Sequence, residues 1–142
     1  MISIDSSVYY FSYSTSCSKK DPNNGYHIPA ESLSLPNYPL CYLMGRININ
    51  AGDGFVTDST WFENDGTVNT ISMIRPFTGK NGAEPMINFK YGETPQSGIW
   101  NFMGKYNLDH KNFIGFFLDN SDMVDSMFKR FERHASLLYS LP

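Results

Sequence analysis

The chain has 142 residues with a formal net charge of −3, and 15% of its residues are aromatic against 18% charged. Its length fits one domain that can bury a sizeable core, and its composition is typical of folded protein. Because no basic stripe is present to neutralise phosphates, we expect no nucleic-acid partner. The longest apolar runs fall far short of the roughly 20 residues that a membrane span needs, so we expect no transmembrane segment.

The two cysteines and the first five residues do not identify the cellular compartment of the protein. Cys17 and Cys41 lie 24 positions apart and can pair, but two thiols are not a disulfide framework. The stretch from Met1 to Asp5 has no basic region, apolar region or cleavage site of a signal peptide. It resembles an internal methionine just ahead of a strand, which indicates truncation.

The first regular element is a strand over Val8 to Tyr13, with β-branched and aromatic residues on both alternating faces. A strand that is apolar on both faces is expected inside a parallel sheet covered by helices, so the sequence predicts an α/β fold. The next segment, Cys17 to Pro39, contains a turn at Pro22, and three further prolines at 29, 36 and 39 keep the rest of it extended. A loop of this length is usually functional or wrapped on the surface.

The following elements alternate between apolar runs and turns. Leu40 to Ile49 can be helical, and Pro85 to Tyr91 alternates like a half-exposed strand. An apolar run over Ile99 to Met103 leads to a loop. The apolar stripe of the last element has helical spacing and predicts a surface helix over residues 121–139, capped by Asn120 or Ser121. We predict one domain over residues 1–142.

A carboxylate and a histidine occur in an order that matters for catalysis. Asp65 lies in a turn between apolar runs, and His110 follows 45 positions later. This is the order of acid and base in the α/β-hydrolase triad, in which the serine comes first. No Gly-x-Ser-x-Gly occurs in the 142 residues. Taken alone, an aspartate before glycine is usually a turn residue, and a loop histidine is usually a surface group.

Several longer segments occur together in order and are more specific than this pair. They span nearly the whole chain and resemble the C-terminal portion of the staphylococcal and thermoalkalophilic bacillus triacylglycerol lipases. The segments are Val8-Tyr9-Tyr10-Phe11-Ser12-Tyr13-Ser14-Thr15, Gly25-Tyr26-His27-Ile28-Pro29, Trp61-x-Glu63-Asn64-Asp65-Gly66-x-Val68-Asn69-Thr70-x-Ser72-Met73, Gly98-x-Trp100-Asn101-x-Met103-Gly104-x-Tyr106-Asn107-x-Asp109-His110 and Ile114-Gly115.

The resemblance implies the C-terminal part of an α/β-hydrolase fold, with parallel strands, flanking helices and a missing N-terminal half. By position, Asp65 matches the acid of the family's triad and His110 matches its base. Asp109 is adjacent to the histidine, and adjacent side chains rarely have the needed geometry, so we favour Asp65. The complete enzyme would hydrolyse carboxylic esters, with acylglycerols or small esters as substrates, through an acyl-serine. The isolated chain is expected to be inactive.

The resemblance also bears on metals, location and folding. The family holds a structural calcium near its histidine, and by position its ligands here would be Asn112, Asp119 and a carbonyl from Pro29 to Leu33. An asparagine in place of a carboxylate weakens such a site. We predict no zinc in this chain. The family is secreted, and the missing half is expected to be needed for folding, because an unpaired apolar strand promotes aggregation.

Two other hypotheses stay open on the residues alone. The first is a non-catalytic binding module, because many aromatic residues with asparagine and glycine suit carbohydrate or protein contact. The second is a truncated, inactive gene product. The remaining histidines, His27 and His134, are interpreted as structural, since the first lies in the proline-rich loop and the second beside the apolar stripe of the last helix.

Overall fold

The computed structural model of the chain describes residues 4–52, 54–77, 82–116 and 120–142. The chain forms two compact units, Met1–His110 and Lys111–Pro142. The prediction of a single domain over residues 1–142 stays a prediction. The strands are β1 (Tyr10–Thr15), β2 (Ser18–Lys20), β3 (His27–Pro29), β4 (Met86–Asn88) and β5 (Trp100–Tyr106), and the α-helices are α1 (Tyr38–Met44), α2 (Thr70–Ile74), α3 (His110–Phe113) and α4 (Ser121–Tyr139).

A parallel sheet is the centre of the first unit. Its strand order is β1-β5-β4, and β5 pairs in parallel with both neighbours. Aromatic rings hold the strands together across the sheet: the ring centroids of Tyr10 and Trp100 are 5.3 Å apart, and those of Phe11 and Phe89 are 6.1 Å apart. A parallel sheet with helices alongside confirms the α/β class that the apolar strand predicted.

Helix α2 is tied to β1 by two side-chain hydrogen bonds. The Ser12 hydroxyl donates to the carbonyl of Ile74 at 2.5 Å, and the Thr70 hydroxyl donates to the carbonyl of Thr15 at 2.7 Å. Thr70 is 3% exposed, so its hydroxyl needs such a partner. These bonds fix the segment that follows Asp65 against the carboxyl end of β1.

The segment between β1 and α1 forms a small structure of its own. Strands β2 and β3 pair antiparallel, and the following turn leads into α1. Three buried residues, Cys17, Leu33 and Cys41, form an apolar cluster against which Ala30 and Tyr38 pack. Both cysteines are free thiols. The long loop predicted over Cys17 to Pro39 is therefore partly regular, and its two cysteines contribute as small apolar side chains.

The second unit contains the predicted C-terminal helix with the predicted bounds. Asn120 caps α4, and its side-chain oxygen accepts from the backbone N–H of Met123 at 2.9 Å. The Arg130 guanidinium donates to the carbonyl of Phe113 at 2.8 Å and lies 4.3 Å from the centroid of the Phe113 ring. None of the residues of α4 is buried.

A helix that crosses a bilayer needs about 20 predominantly apolar residues. None of the described helices combines that length with that apolar character.

Candidate active site

A tight turn after Phe62 presents the predicted acid. Asn64 and Asp65 are both 0% exposed. The Asn64 side chain donates to the carbonyl of Phe62 at 2.9 Å and accepts from the N–H of Gly66 at 2.9 Å, so it closes the turn from inside. Gly66 has φ +86°, which a glycine adopts without strain. The sequence Asn64-Asp65-Gly66 therefore fixes the backbone on both sides of the carboxylate.

The Asp65 carboxylate accepts four hydrogen bonds. Its Oδ1 accepts from the N–H groups of Thr67 at 3.0 Å and Val68 at 2.8 Å. Its Oδ2 accepts from the Thr15 hydroxyl at 2.5 Å and lies 2.9 Å from Nδ1 of His110. Such charge-assisted bonds compensate the cost of burying a carboxylate completely. The arrangement holds a negative charge at a fixed place beside an imidazole.

His110 lies at the first position of α3, just after β5. Its backbone N–H donates to the carbonyl of Asp65 at 3.4 Å, so main chain and side chain both face the same residue. The His110 side chain is 36% exposed, whereas its carboxylate partner is 0% exposed. One edge of the ring is thus held by a buried group while the rest can meet a substrate. The structure brings the predicted acid and base into direct contact.

Asp109 contacts a different segment although it precedes His110 directly. It is 0% exposed, and its Oδ2 accepts from the Ser34 hydroxyl at 2.5 Å and from the Ser34 N–H at 3.4 Å. Ser34 directly follows Leu33 of the apolar cluster and precedes α1 in the chain. The contact ties the loop before α1 to the segment that carries His110. The carboxylate within 2.9 Å of the His110 ring is that of Asp65, as the sequence argument favoured.

Lys105 of β5 forms an ion pair with Glu63, which lies two positions before Asp65. Lys105 Nζ is 2.7 Å from Glu63 Oε1. Burial acts to raise the pKa of Glu63, but hydrogen bonds from Lys105 and Ser16 outweigh it and lower the pKa below its usual value. The pair is partly exposed, so its contribution to stability is small.

The other two histidines lie on other elements of the chain. His27 belongs to β3, and its Nδ1 is 3.0 Å from the Ser18 hydroxyl. His134 lies on α4. Burial lowers the pKa of each ring. The structural interpretation of these two side chains stays a prediction.

The calcium site that the resemblance implied stays a prediction. Asn112 lies on α3 and is buried, and Asp119 lies outside the described residues. Within the described part of the chain, no group of three or more histidine, cysteine, aspartate or glutamate side chains is placed to hold a metal.

Sequence reasoning missed two side chains of this site. Thr15 and Ser34 each donate to a buried carboxylate. Thr15 stands at the end of the first segment of the resemblance, but only the strand register shows that its hydroxyl reaches Asp65. No local signal pointed to Ser34, since its partner is 75 positions away.

The fold of the chain is similar to solved structures of bacterial lipases. EstA from Clostridium botulinum is 30% identical, with a TM-score of 0.77 over 98% of this chain. Lipase 1 from Pelosinus fermentans is 27% identical, with a TM-score of 0.67 over 99% of this chain. The chain is related to the bacterial lipases. Staphylococcus hyicus lipase shares the fold at 18% identity, with a TM-score of 0.76 over 96% of this chain.

The match concerns only part of each lipase. This chain spans 30% of EstA, 32% of the Staphylococcus hyicus lipase and 34% of the Pelosinus lipase. No protein-family model matches the sequence. The predicted resemblance to bacterial lipases is confirmed, and the chain corresponds to about a third of the length of these enzymes.

Proposed function

We propose that this chain is the C-terminal part of an α/β-hydrolase lipase and supplies the acid and the base of its catalytic triad. The observation that carries the proposal is the 2.9 Å contact between Nδ1 of His110 and Oδ2 of a fully buried Asp65. The relation to bacterial lipases over nearly the whole chain supports it.

The contact assigns a role to each nitrogen of the ring. A carboxylate only accepts hydrogen bonds, so the neutral imidazole carries its proton on Nδ1 and leaves Nε2 unprotonated. Nε2 then takes the proton of a serine hydroxyl as it attacks the ester carbonyl, and returns it to the leaving alcohol. Asp65 holds this tautomer and stabilises the imidazolium that forms.

The serine and the oxyanion donors come from a part of the fold outside these 142 residues. In that complete enzyme the reaction is hydrolysis of carboxylic esters, with acylglycerols as the preferred class and an acyl-serine as the intermediate. An extracellular location follows from the same resemblance. The chain by itself holds the base and its orienting acid without a nucleophile of the elbow type.

A chimera tests this function. The segment of EstA that matches this chain is replaced by the 142 residues, so that the rest of EstA supplies the remaining parts of the site. We expect hydrolysis of a short-chain p-nitrophenyl ester that His110→Ala reduces by about four orders of magnitude. His134→Ala is the matched control, because it removes the same type of side chain and His134 is not a member of the Asp65–His110 pair, and it should leave the rate within about twofold.

A cooperative thermal transition followed by circular dichroism separates a misfolded chimera from a folded but inactive one. A folded chimera that hydrolyses the ester equally well with and without His110 would contradict the proposal. Retention of a lipid by a folded but inactive chimera, independent of His110, would favour a binding module instead.

A further inference from the structure

Thr15 is the last residue of β1, at the carboxyl end of the parallel sheet. It pairs with Tyr106 of β5 and is 2% exposed. Its hydroxyl donates to Oδ2 of Asp65 at 2.5 Å. Since the carboxylate has no proton to give, the hydroxyl must be the donor in this bond. A second contact of the same oxygen, to Met73 Sδ at 3.4 Å, is weaker because a thioether is a poor acceptor.

The hydroxyl meets the same carboxylate oxygen that faces His110. Oδ1 of Asp65 is held by the backbone of its own turn, at Thr67 and Val68. Oδ2 is held from outside the turn, by Thr15 and by the histidine. Two donors on each oxygen fix the rotation of the carboxylate about its Cβ–Cγ bond, which a turn alone does not fix.

Thr15 is itself held firmly enough to do this. Its backbone belongs to the sheet, and its carbonyl accepts from the Thr70 hydroxyl at 2.7 Å. The residue is therefore fixed by β5 on one side and by α2 on the other. The Thr15 hydroxyl therefore holds the Asp65 carboxylate at a fixed position relative to the sheet.

We propose that Thr15 is a positioning residue of the triad, whose hydroxyl fixes the Asp65 carboxylate in the orientation that holds Nδ1 of His110. The proposal rests on the proposed function for its catalytic meaning. The hydrogen-bond geometry that it describes belongs to the chain alone. Loss of the hydroxyl lets the carboxylate rotate, so the contact with His110 is made for a smaller part of the time.

Two comparisons isolate the effect of the hydroxyl: wild type with Thr15→Val, and Thr15→Ser with Thr15→Ala. Thr15→Val keeps the shape of the side chain and removes the hydroxyl. Thr15→Ser and Thr15→Ala both remove the methyl group, and only the serine keeps the hydroxyl. If the valine variant fails to fold, the comparison of serine with alanine decides.

The readout is the Nδ1–H proton of His110, observed by NMR in the chimera of this chain with EstA labelled with ¹⁵N-histidine. We expect exchange with solvent to be about tenfold faster in the valine and alanine variants than in wild type and the serine variant. The ring signals of His27, whose Nδ1 contacts Ser18, report whether the fold is retained. Equal exchange in all four proteins, or serine behaving like alanine, would overturn the proposal.

Kinetic measurements on the same chimera test whether Thr15 matters for catalysis. Thr15→Val should lower kcat by about tenfold with KM unchanged, because the lost contact matters when the imidazolium forms. The NMR result does not depend on ester hydrolysis. If His110→Ala leaves hydrolysis intact, the proposed function fails, whereas the exchange rates still decide whether Thr15 orients the carboxylate.

Discussion

Asp65 lies in a turn whose shape depends on the glycine that follows it. Gly66 has φ +86°, and a Cβ added to it would lie 2.6 Å from Leu33 Cδ1 and 3.0 Å from Asn37 Cβ. Two separate effects thus exclude a side chain at this position, the backbone conformation and the close approach of the apolar cluster. The Asp-Gly pair predicts a turn from the sequence alone, and the structure adds the reason why the turn is rigid.

Gly66→Ala should lower the free energy of unfolding by about 2 kcal/mol, through strained φ and overpacking against Leu33. Gly52→Ala is the matched control, because Gly52 has φ +81° but a Cβ at this position would meet no atom within 4 Å. That control should cost about 1 kcal/mol, from the backbone alone. Urea denaturation of both variants, each made in the chimera with EstA, measures the difference. Equal losses would show that the contact with Leu33 does not matter.

Cys41 is predicted to be nearly inert at neutral pH. Burial raises the pKa of its thiol to about 11 from the usual 9.0. We expect slow modification by iodoacetamide at pH 8 in the native state and rapid modification in denaturant, because only about one thiol in a thousand is ionised when folded. Mass spectrometry after a timed exposure measures this. Equally fast labelling in both states would contradict it.

The same shift has a consequence for stability at alkaline pH. Because the folded-state pKa is raised, the thiol contributes stability that is present below pH 9 and lost as the pH rises towards about 11. Cys17 acts in the same direction, since burial raises the pKa of its thiol as well. Thermal denaturation of the chimera with EstA between these pH values should show a midpoint that falls as the pH rises, and Cys41→Ala should make this fall shallower.

At the scale of elements, the sequence predicted best what depends on local patterns. The bounds of α4 and its asparagine cap agree with the apolar stripe and the polar residue before it. The strand over Val8 to Tyr13 is found two residues later, as Tyr10–Thr15. Contacts between distant segments were not predictable in this way. Thr15 contacts Asp65 because of the strand register, and Ser34 contacts Asp109 because of the path of its loop. The hydrophobic periodicity of the sequence predicts neither contact.

The Ser34–Asp109 contact should stabilise the loop before α1. Ser34→Ala removes the hydroxyl that donates to the buried Asp109 carboxylate at 2.5 Å, so we expect a loss of about 2 kcal/mol in the free energy of unfolding. Ser59→Ala is the control, because Ser59 is exposed, and it should stay within about 0.5 kcal/mol. Chemical denaturation of the two variants, each made in the chimera with EstA, compares their free energies of unfolding. A similar effect of both variants would show that the contact carries little stability.

At the scale of the whole chain, the described part of the sheet ends at β1 on one side. Among the described strands, β1 pairs with β5 on one side only. A parallel strand with an open edge promotes association. The order β1-β5-β4 could not be predicted from the sequence, because the pairing of β5 between two earlier strands depends on contacts far apart in the chain.

The 142 residues expressed alone should therefore self-associate. Analytical ultracentrifugation is expected to show oligomers, and the chimera, in which EstA supplies the rest of the fold, is expected to be monodisperse under the same conditions. A soluble monomer with a sharp cooperative thermal transition would contradict this prediction.

The central claim, that Asp65 is the triad acid and His110 its base, is tested most directly by comparing two neighbouring carboxylates. Both Asp65 and Asp109 are 0% exposed, and the Asp65 carboxylate lies 2.9 Å from Nδ1 of the His110 ring. The measurement is kcat for ester hydrolysis by the chimera carrying Asp65→Asn or Asp109→Asn. We predict that Asp65→Asn lowers kcat by about four orders of magnitude, and that folded Asp109→Asn protein loses about tenfold or less. The reverse order, or equal losses in two folded variants, would contradict the assignment.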